Sequence, residues 1–193
     1  MAKLSINIFW HRRDLRIHDN AGLSKALKDT KPVLPVFVFD KTILELLPSK
    51  DARVQFIHDY LNEVHQAYAQ YGSSIRVFHG DPKSMFETLM EEYDIHRVFT
   101  NRDYEPYAQK RDKEISHLLS SNNIEFIGAK DHVIFEKSEV VKDDGKPYTV
   151  FTPYSRKWKA ALKEDSFQPY SMKYGQLFQC EPFSIMDLKS LGF

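Results

Sequence analysis

At 193 residues the chain has the length of one ordinary domain with a short appendage. Apolar residues make up 42% and aromatics 13%, enough for a buried core, and 27 basic residues face 27 acidic ones, so no overall charge draws the chain to nucleic acid. The single cysteine, Cys180, excludes an internal disulfide and fits a reduced, cytoplasmic setting; no apolar run nears the ~18 residues of a membrane span, and the run Leu4 to Trp10 after Lys3 lacks the signal-peptide pattern.

Residues 5–10 read as strand one, with Ile6, Ile8, Phe9 and Trp10 apolar. A loop of three arginines and two aspartates follows. Leu23, Ala26 and Leu27 share one face of a helix over 20–29. Residues 33–39, Val-Leu-Pro-Val-Phe-Val-Phe, are continuously apolar, as a parallel strand buried on both faces requires. Pro35 is the blemish, since it removes a ladder donor. Val54, Ile57, Leu61, Val64, Tyr68 and Tyr71 recur at three- and four-residue steps and predict a long helix over 50–71, closed by Gly72. Residues 74–79 alternate as strand three. Asp81-Pro82 starts a helix that runs to about Tyr93 on Met85, Phe86, Leu89 and Met90. Residues 96–100 are strand four, Glu105-Pro106 opens a helix through Ile115, Leu118 and Leu119, and residues 124–127 are strand five.

This β-α-β-α-β-α-β-α-β order predicts a Rossmann-like α/β fold: a doubly wound, five-stranded parallel sheet in a three-layer αβα arrangement. The sheet domain takes residues 1–130. Residues 131–163 extend and close it, irregular or hairpin-like at first, with a turn at Asp143-Asp144-Gly145 and a short helix over 155–163. From Glu164 onward Pro169, Gly175 and Pro182 interrupt the pattern, and residues 164–193 read as the start of a linker.

Five stretches could carry chemistry. After strand one, Arg12, Arg13 and Arg16 offer guanidinium forks, with Asp14 and Asp19 beside them. They either brace the loop through bidentate hydrogen bonds or meet a ligand or phosphate. After strand four, at the carboxyl edge where doubly wound sheets bind ligands, stand Asn101, Asp103, Tyr104, Glu105 and Tyr107. Asp103 or Glu105 either caps the next helix or accepts hydrogen bonds from the N–H groups of a flavin-like ring, with the tyrosines stacked on it. At the start of the long helix Arg53 is either a solvated first-turn side chain or a ligand contact. Phe37, Phe39 and Asp40 end strand two as core or as a neighbouring wall. Residues 145–163 hold five basic and no acidic residues interleaved with Tyr148, Phe151, Tyr154 and Trp158. That is the composition of a nucleic-acid patch, with Arg156 and Lys157 as phosphate contacts, but Tyr154, Trp158 and Leu162 also fall on one helix face.

Other chemistries lack their motifs. There is no G-x-G-x-x-G after strand one and no G-x-x-x-x-G-K-S/T anywhere, which argues against an ordinary NAD(P) dehydrogenase or P-loop enzyme. The eight histidines form no ligand set, so no metal is expected, and no nucleophile–base pair stands out.

Three motifs in order resemble the photolyase/cryptochrome family over residues 5–163. They are F-W-x-R-x-D-L-R-x-x-D-N at Phe9–Asn20, N-x-D-x-E-P-Y-x-x-x-R-D at Asn101–Asp112, and V-F-T-P-Y-x-x-x-W at Val150–Trp158. The resemblance points to the N-terminal α/β, light-harvesting domain of a class I cyclobutane-pyrimidine-dimer photolyase. It implies a parent enzyme, a deoxyribodipyrimidine photo-lyase, in which an antenna passes light energy to a reduced FAD. The flavin then donates an electron to a dimer flipped out of UV-damaged DNA. It also implies that FAD sits in a C-terminal helical domain, the partner of this one, which the 193 residues would lack; by themselves they are expected to be inactive and monomeric, with no catalytic residue. In relatives that bind a deazaflavin, the arginine of A-R-V lies along the chromophore, and Arg53 holds that position. In folate-binding relatives a glutamate inside the helix grips the pterin, and Ala108 stands there, which favours a deazaflavin or FMN over methenyltetrahydrofolate. A cryptochrome parent, or a stand-alone chromophore-binding module, are the alternatives.

Overall fold

A computed structural model describes residues 3–193. In chain order its elements are β1 (Ser5–Trp10), α1 (Ala21–Ala26), β2 (Val33–Asp40), α2 (Lys41–Leu44), α3 (Ala52–Ala69), β3 (Arg76–Gly80), α4 (Pro82–Glu92), β4 (Asp94–Asn101), α5 (Pro106–Ser120), β5 (Glu125–Ala129) and α6 (Phe151–Ala161). Short 3₁₀ turns follow at Glu164–Phe167, Tyr174–Gln176 and Lys189–Leu191.

The five strands form one parallel sheet in the order β3-β2-β1-β4-β5, as the alternation of strand and helix predicts. Side chains alternate across it, and both faces are covered. Phe9, Val33, Phe37, Phe39 and Phe99 pack against α1 and α3 through Leu23, Leu27, Leu61, Val64 and Tyr68. Ile6, Ile8, Trp10, Leu34, Val36, Val38 and Val98 pack against α4 and α5 through Met85, Phe86, Leu89, Ile115 and Leu119. Helices that carry the chain toward β3 thus lie on one face, and those that carry it toward β5 on the other, which is what right-handed crossovers produce.

Pro35 is accommodated by its parity. Pro32 and Val36 accept hydrogen bonds from Asn7 and His11 of the β1 segment, so the even positions face β1. Pro35 therefore faces the other side, at a level where β3, which begins pairing at Val36, has not started.

Helix starts follow the sequence: Asn20, Asp51 and Asp81 each cap with a side-chain oxygen on a first-turn N–H. The other boundaries lie within about two residues of expectation, and three larger differences stand out. Helix α1 stops at Ala26, because Lys28 and Asp29 turn back onto Lys25 and Ala26 in i→i−3 bonds. The one-turn helix α2 was not expected; Asp40 caps it through the Thr42 N–H. Helix α6 begins at Phe151, not near residue 155. The turn at Asp143-Asp144-Gly145 is present, closed by Gly145 at φ +78°.

The segment expected to start a linker lies on the domain. Leu177 pairs with Val33 beside β2, where the Phe178 N–H donates to the Val33 carbonyl at 2.9 Å, and Cys180 bonds to Gly72. Leu177 and Leu191 are buried, and Tyr174 stacks on Tyr71 at 4.2 Å. Scattered apolar residues at irregular spacing cover α1 and α3 here, and no helix or strand period could announce them.

Candidate functional site

The strand order reverses between β1 and β4, and a crevice opens there at the carboxyl edge of the sheet. The loop from His11 to Asn20 fills part of it. His11 is fully buried, with Nδ1 on the Asp14 carbonyl at 3.1 Å and Nε2 on the Tyr68 hydroxyl at 2.6 Å. Burial pushes the His11 pKa down. Asp14 does not pair with an arginine, contrary to the bracing expected of it. Its carboxylate accepts the Arg12 backbone N–H at 2.7 Å and the side-chain N–H groups of Asn20 and Asn101. Burial acts to raise the Asp14 pKa; the His11 ring and these donors outweigh it and hold the carboxyl below its ordinary value.

The three arginines part company. The Arg12 side chain is buried, with one guanidinium nitrogen on both Asp112 oxygens at 2.7 Å and Nε on the Thr100 hydroxyl at 3.0 Å. Arg16 reaches Asp131 at 2.8 Å and the Asp19 carbonyl at 2.7 Å, while the Asp19 carboxylate takes the Tyr170 N–H. Both are braces, but their partners lie 100 and 115 residues away, out of reach of any local pattern. Arg13 is open to solvent, 3.1 Å from Asp103 and 3.9 Å from Glu105.

Beside this loop lies a cavity of about 290 Å³ at the ends of β1 and β2. Phe37 and Phe39, edge to face at 5.1 Å, form one wall, with Ile43, Leu44 and Ile57 around them. Asp40 sits at its margin: Oδ1 accepts the Thr42 N–H at 3.1 Å and Oδ2 the Tyr107 hydroxyl at 2.6 Å. Burial and this bond raise the Tyr107 pKa. Arg13, Asp103 and Glu105 close the opposite side, with Ala108 and Arg111 from α5.

Of the residues singled out in the sequence, Phe37, Asp40, Asp103, Glu105, Arg12 and Arg13 line this one cavity. Arg53 does not; its guanidinium turns back onto Asp51 at 2.6 and 2.9 Å. Glu105 occupies the cap position of α5 without a side-chain cap bond, while Asp103 accepts the Glu105 N–H at 3.1 Å. Asp103 thus takes part in the turn and faces the cavity too. Arg111 was passed over as a site residue. It lies over Trp10 at 4.8 Å and over Tyr107 at 5.7 Å, one helical turn along α5, and the i, i+4 spacing of Tyr107 and Arg111 was the available signal.

The basic segment lies elsewhere. Lys157 pairs with Asp143 at 2.7 Å, and Arg156 is exposed with no carboxylate at ion-pair distance among the described residues. Trp158 meets Phe135 edge-on at 5.7 Å, yet α6 buries none of its residues.

Comparisons with known proteins agree with the motifs. The family model described as DNA photolyase matches residues 7–171. A deoxyribodipyrimidine photo-lyase of Synechococcus sp. is 32% identical over 156 residues, covering 81% of this chain and 32% of that protein. One from Halobacterium salinarum is 34% identical over 163 residues, covering 80% of this chain and 34% of that protein. Among solved structures, an archaeal photolyase from Sulfolobus tokodaii, described with two FAD molecules and an implied novel light-harvesting cofactor, superposes with a TM-score of 0.76 at 28% identity, over 97% of this chain and 41% of that one. A class III photolyase from Agrobacterium tumefaciens shares the fold at a TM-score of 0.81 and 24% identity, over 98% of this chain and 38% of that one. The chain spans about a third of the length of the curated photolyases it matches. With the sheet order, the switch-point loop and a family match over most of its length, the chain belongs to the DNA photolyase family, whose N-terminal α/β domain it matches.

Proposed function

We propose that this domain holds the light-harvesting chromophore of a class I deoxyribodipyrimidine photo-lyase, in the cavity between Phe37, Asp40 and Tyr107. The observation that carries the reading is the pairing of an aromatic wall with two carboxylates, Asp40 and Asp103, around one small cavity. Its volume, about 290 Å³, is at the low end for small-molecule sites and suits one ring system with any chain left outside. An oxidised flavin or deazaflavin ring presents one N–H, at N3, between two carbonyls. Asp40 accepts from the N3–H, Arg13, held by Asp103 at 3.1 Å, donates to a carbonyl, and Phe37 and Phe39 flank the ring and exclude water. When bound, the chromophore supplies light absorption and passes excitation energy to FAD. Ala108 brings no polar group where the folate-binding relatives carry a glutamate, which supports FMN or a deazaflavin over methenyltetrahydrofolate. FAD and the damaged DNA belong, in this proposal, to the helical part of the whole protein, in the cytoplasm. A cryptochrome parent is the second reading, favoured by Cryptochrome-1 of Drosophila melanogaster, which is 31% identical over 151 residues.

The test is a fluorescence titration of the purified chain with FMN, an 8-hydroxydeazaflavin and methenyltetrahydrofolate. Either flavin-type ring is expected to bind more tightly than the folate, and Asp40→Ala is expected to weaken it about tenfold, the scale of one lost charged hydrogen bond. Tighter folate binding, or flavin binding indifferent to Asp40, would refute the assignment.

A further inference from the structure

A second cleft, of about 520 Å³, opens between the ends of β4 and β5, helix α5 and the loop after β5. Arg12 lines the first cavity and its partner Asp112 lines this one, so that ion pair forms part of the wall between them. The carboxylates at this cleft are already matched. Asp103 faces Arg13 at 3.1 Å, and Asp112 is held by Arg12 at 2.7 Å. Glu136, at the margin, takes the Arg102 guanidinium and the Tyr104 hydroxyl, each at 2.6 Å. The Tyr104 pKa rises to about 12, through burial and then this bond, so the hydroxyl stays a neutral donor. Lys113 and Lys137 are what remains: two exposed cations lining the cleft with no carboxylate within ion-pair distance among the described residues.

Two more features mark the cleft. Lys137 adopts φ +51°, a left-handed backbone that strains any residue with a Cβ and that tends to persist where the position serves a function. The surroundings hold it there, since the preceding Glu136 is fixed by Arg102, Tyr104 and, through its N–H, Glu139. Flat surface lies opposite. Tyr104 and Phe126 are half-buried, and Arg102 lies across Gly128, where a Cβ would come within 2.9 Å of its Cγ. Its guanidinium donates to the Gly128 carbonyl at 2.6 Å and so is laid along the floor.

We propose that this cleft is a second ligand site, for a nucleotide-class anion: a flat ring rests on Tyr104, Phe126 and the Arg102 plane, and its phosphates meet Lys113 and Lys137. The cleft shares Asp103 with the chromophore cavity but lies beyond the Arg12–Asp112 pair, and the proposal does not depend on that reading.

ADP is the probe, titrated into the purified chain and followed by amide NMR, with FMN present in excess. The shifts are expected at Gly128, Phe126 and Lys137. Lys113→Ala and Lys137→Gly are each expected to raise the ADP dissociation constant about threefold, the value of a screened surface charge, and added salt to weaken binding further. Both variants keep the fold: alanine suits the exposed face of α5, and glycine accepts the left-handed backbone at 137 without strain. Inorganic phosphate alone is expected to bind more weakly, since it lacks the ring. No shift at millimolar ADP, shifts centred on Phe39 and Tyr107, dissociation constants unchanged in both variants, or phosphate binding as tightly as ADP would each overturn the proposal.

Discussion

At the scale of single residues, the opening motif is a polar core. His11, Asp14, Asn20 and Asn101 are all buried, and each meets another of them or a backbone group. Such a network holds one loop shape only while every member is satisfied. Tyr68 is the member that comes from outside, from α3, and Tyr68→Phe leaves the His11 Nε2 without a partner. The expected cost is about 1–3 kcal/mol, read as a lower urea midpoint at unchanged slope. The same histidine sets the sign of the acid response. Its folded pKa lies below the ordinary 6.5, because burial disfavours the charged ring. An unfolded chain therefore takes up the proton first, and stability present above about 6.5 is lost as pH falls toward the lowered value. His79, lowered by partial burial and by Lys41, adds in the same direction. Asp14, held below 3.8, adds a further loss at still lower pH. Unfolding free energy should thus fall between pH 7.5 and pH 5.5; a flat or rising profile would contradict this assignment.

At the scale of elements, what was legible depended on period. Helix α3 was readable because its apolar residues repeat at steps fixed by backbone geometry, and β1 and β2 because short apolar runs mark strands buried on both faces. The cavity was readable in part for the same reason, since Phe37, Asp40, Asp103 and Glu105 stand at strand ends and helix starts on the carboxyl edge. Arg53 was misleading because position on that edge does not fix a rotamer, and the cap residue Asp51, two positions back, captured it. Most illegible was the strap after residue 170, which has no period at all. Its packing is nonetheless specific, and Leu177 is its anchor beside β2. Leu177→Ala is expected to cost about 2–5 kcal/mol in a denaturant titration, the range for a buried leucine. A free linker residue would give a value near zero, so the measurement separates a docked strap from a segment that merely lies nearby.

At the scale of the whole molecule, the proposed function implies a division of labour that can be tested. This domain offers a cavity of about 290 Å³ lined by Phe37, Phe39, Asp40 and Asp103, and the photolyases it matches are about three times as long. The proposed energy transfer therefore separates into two measurable parts. Purified alone, the 193-residue chain is expected to leave cyclobutane dimers in an oligonucleotide unrepaired under illumination, even with FAD and a reductant supplied. Joined to the helical part in the whole protein, it is expected to broaden the action spectrum of repair by adding the absorption band of its chromophore. Asp40→Ala should weaken that added band and leave repair by direct excitation of FAD intact, because Asp40 and its partner Tyr107 both line the proposed antenna cavity. Repair by the isolated chain would place the electron-transfer chemistry in this domain. Loss of both bands together would mean that Asp40 supports the fold of the whole protein and not light harvesting.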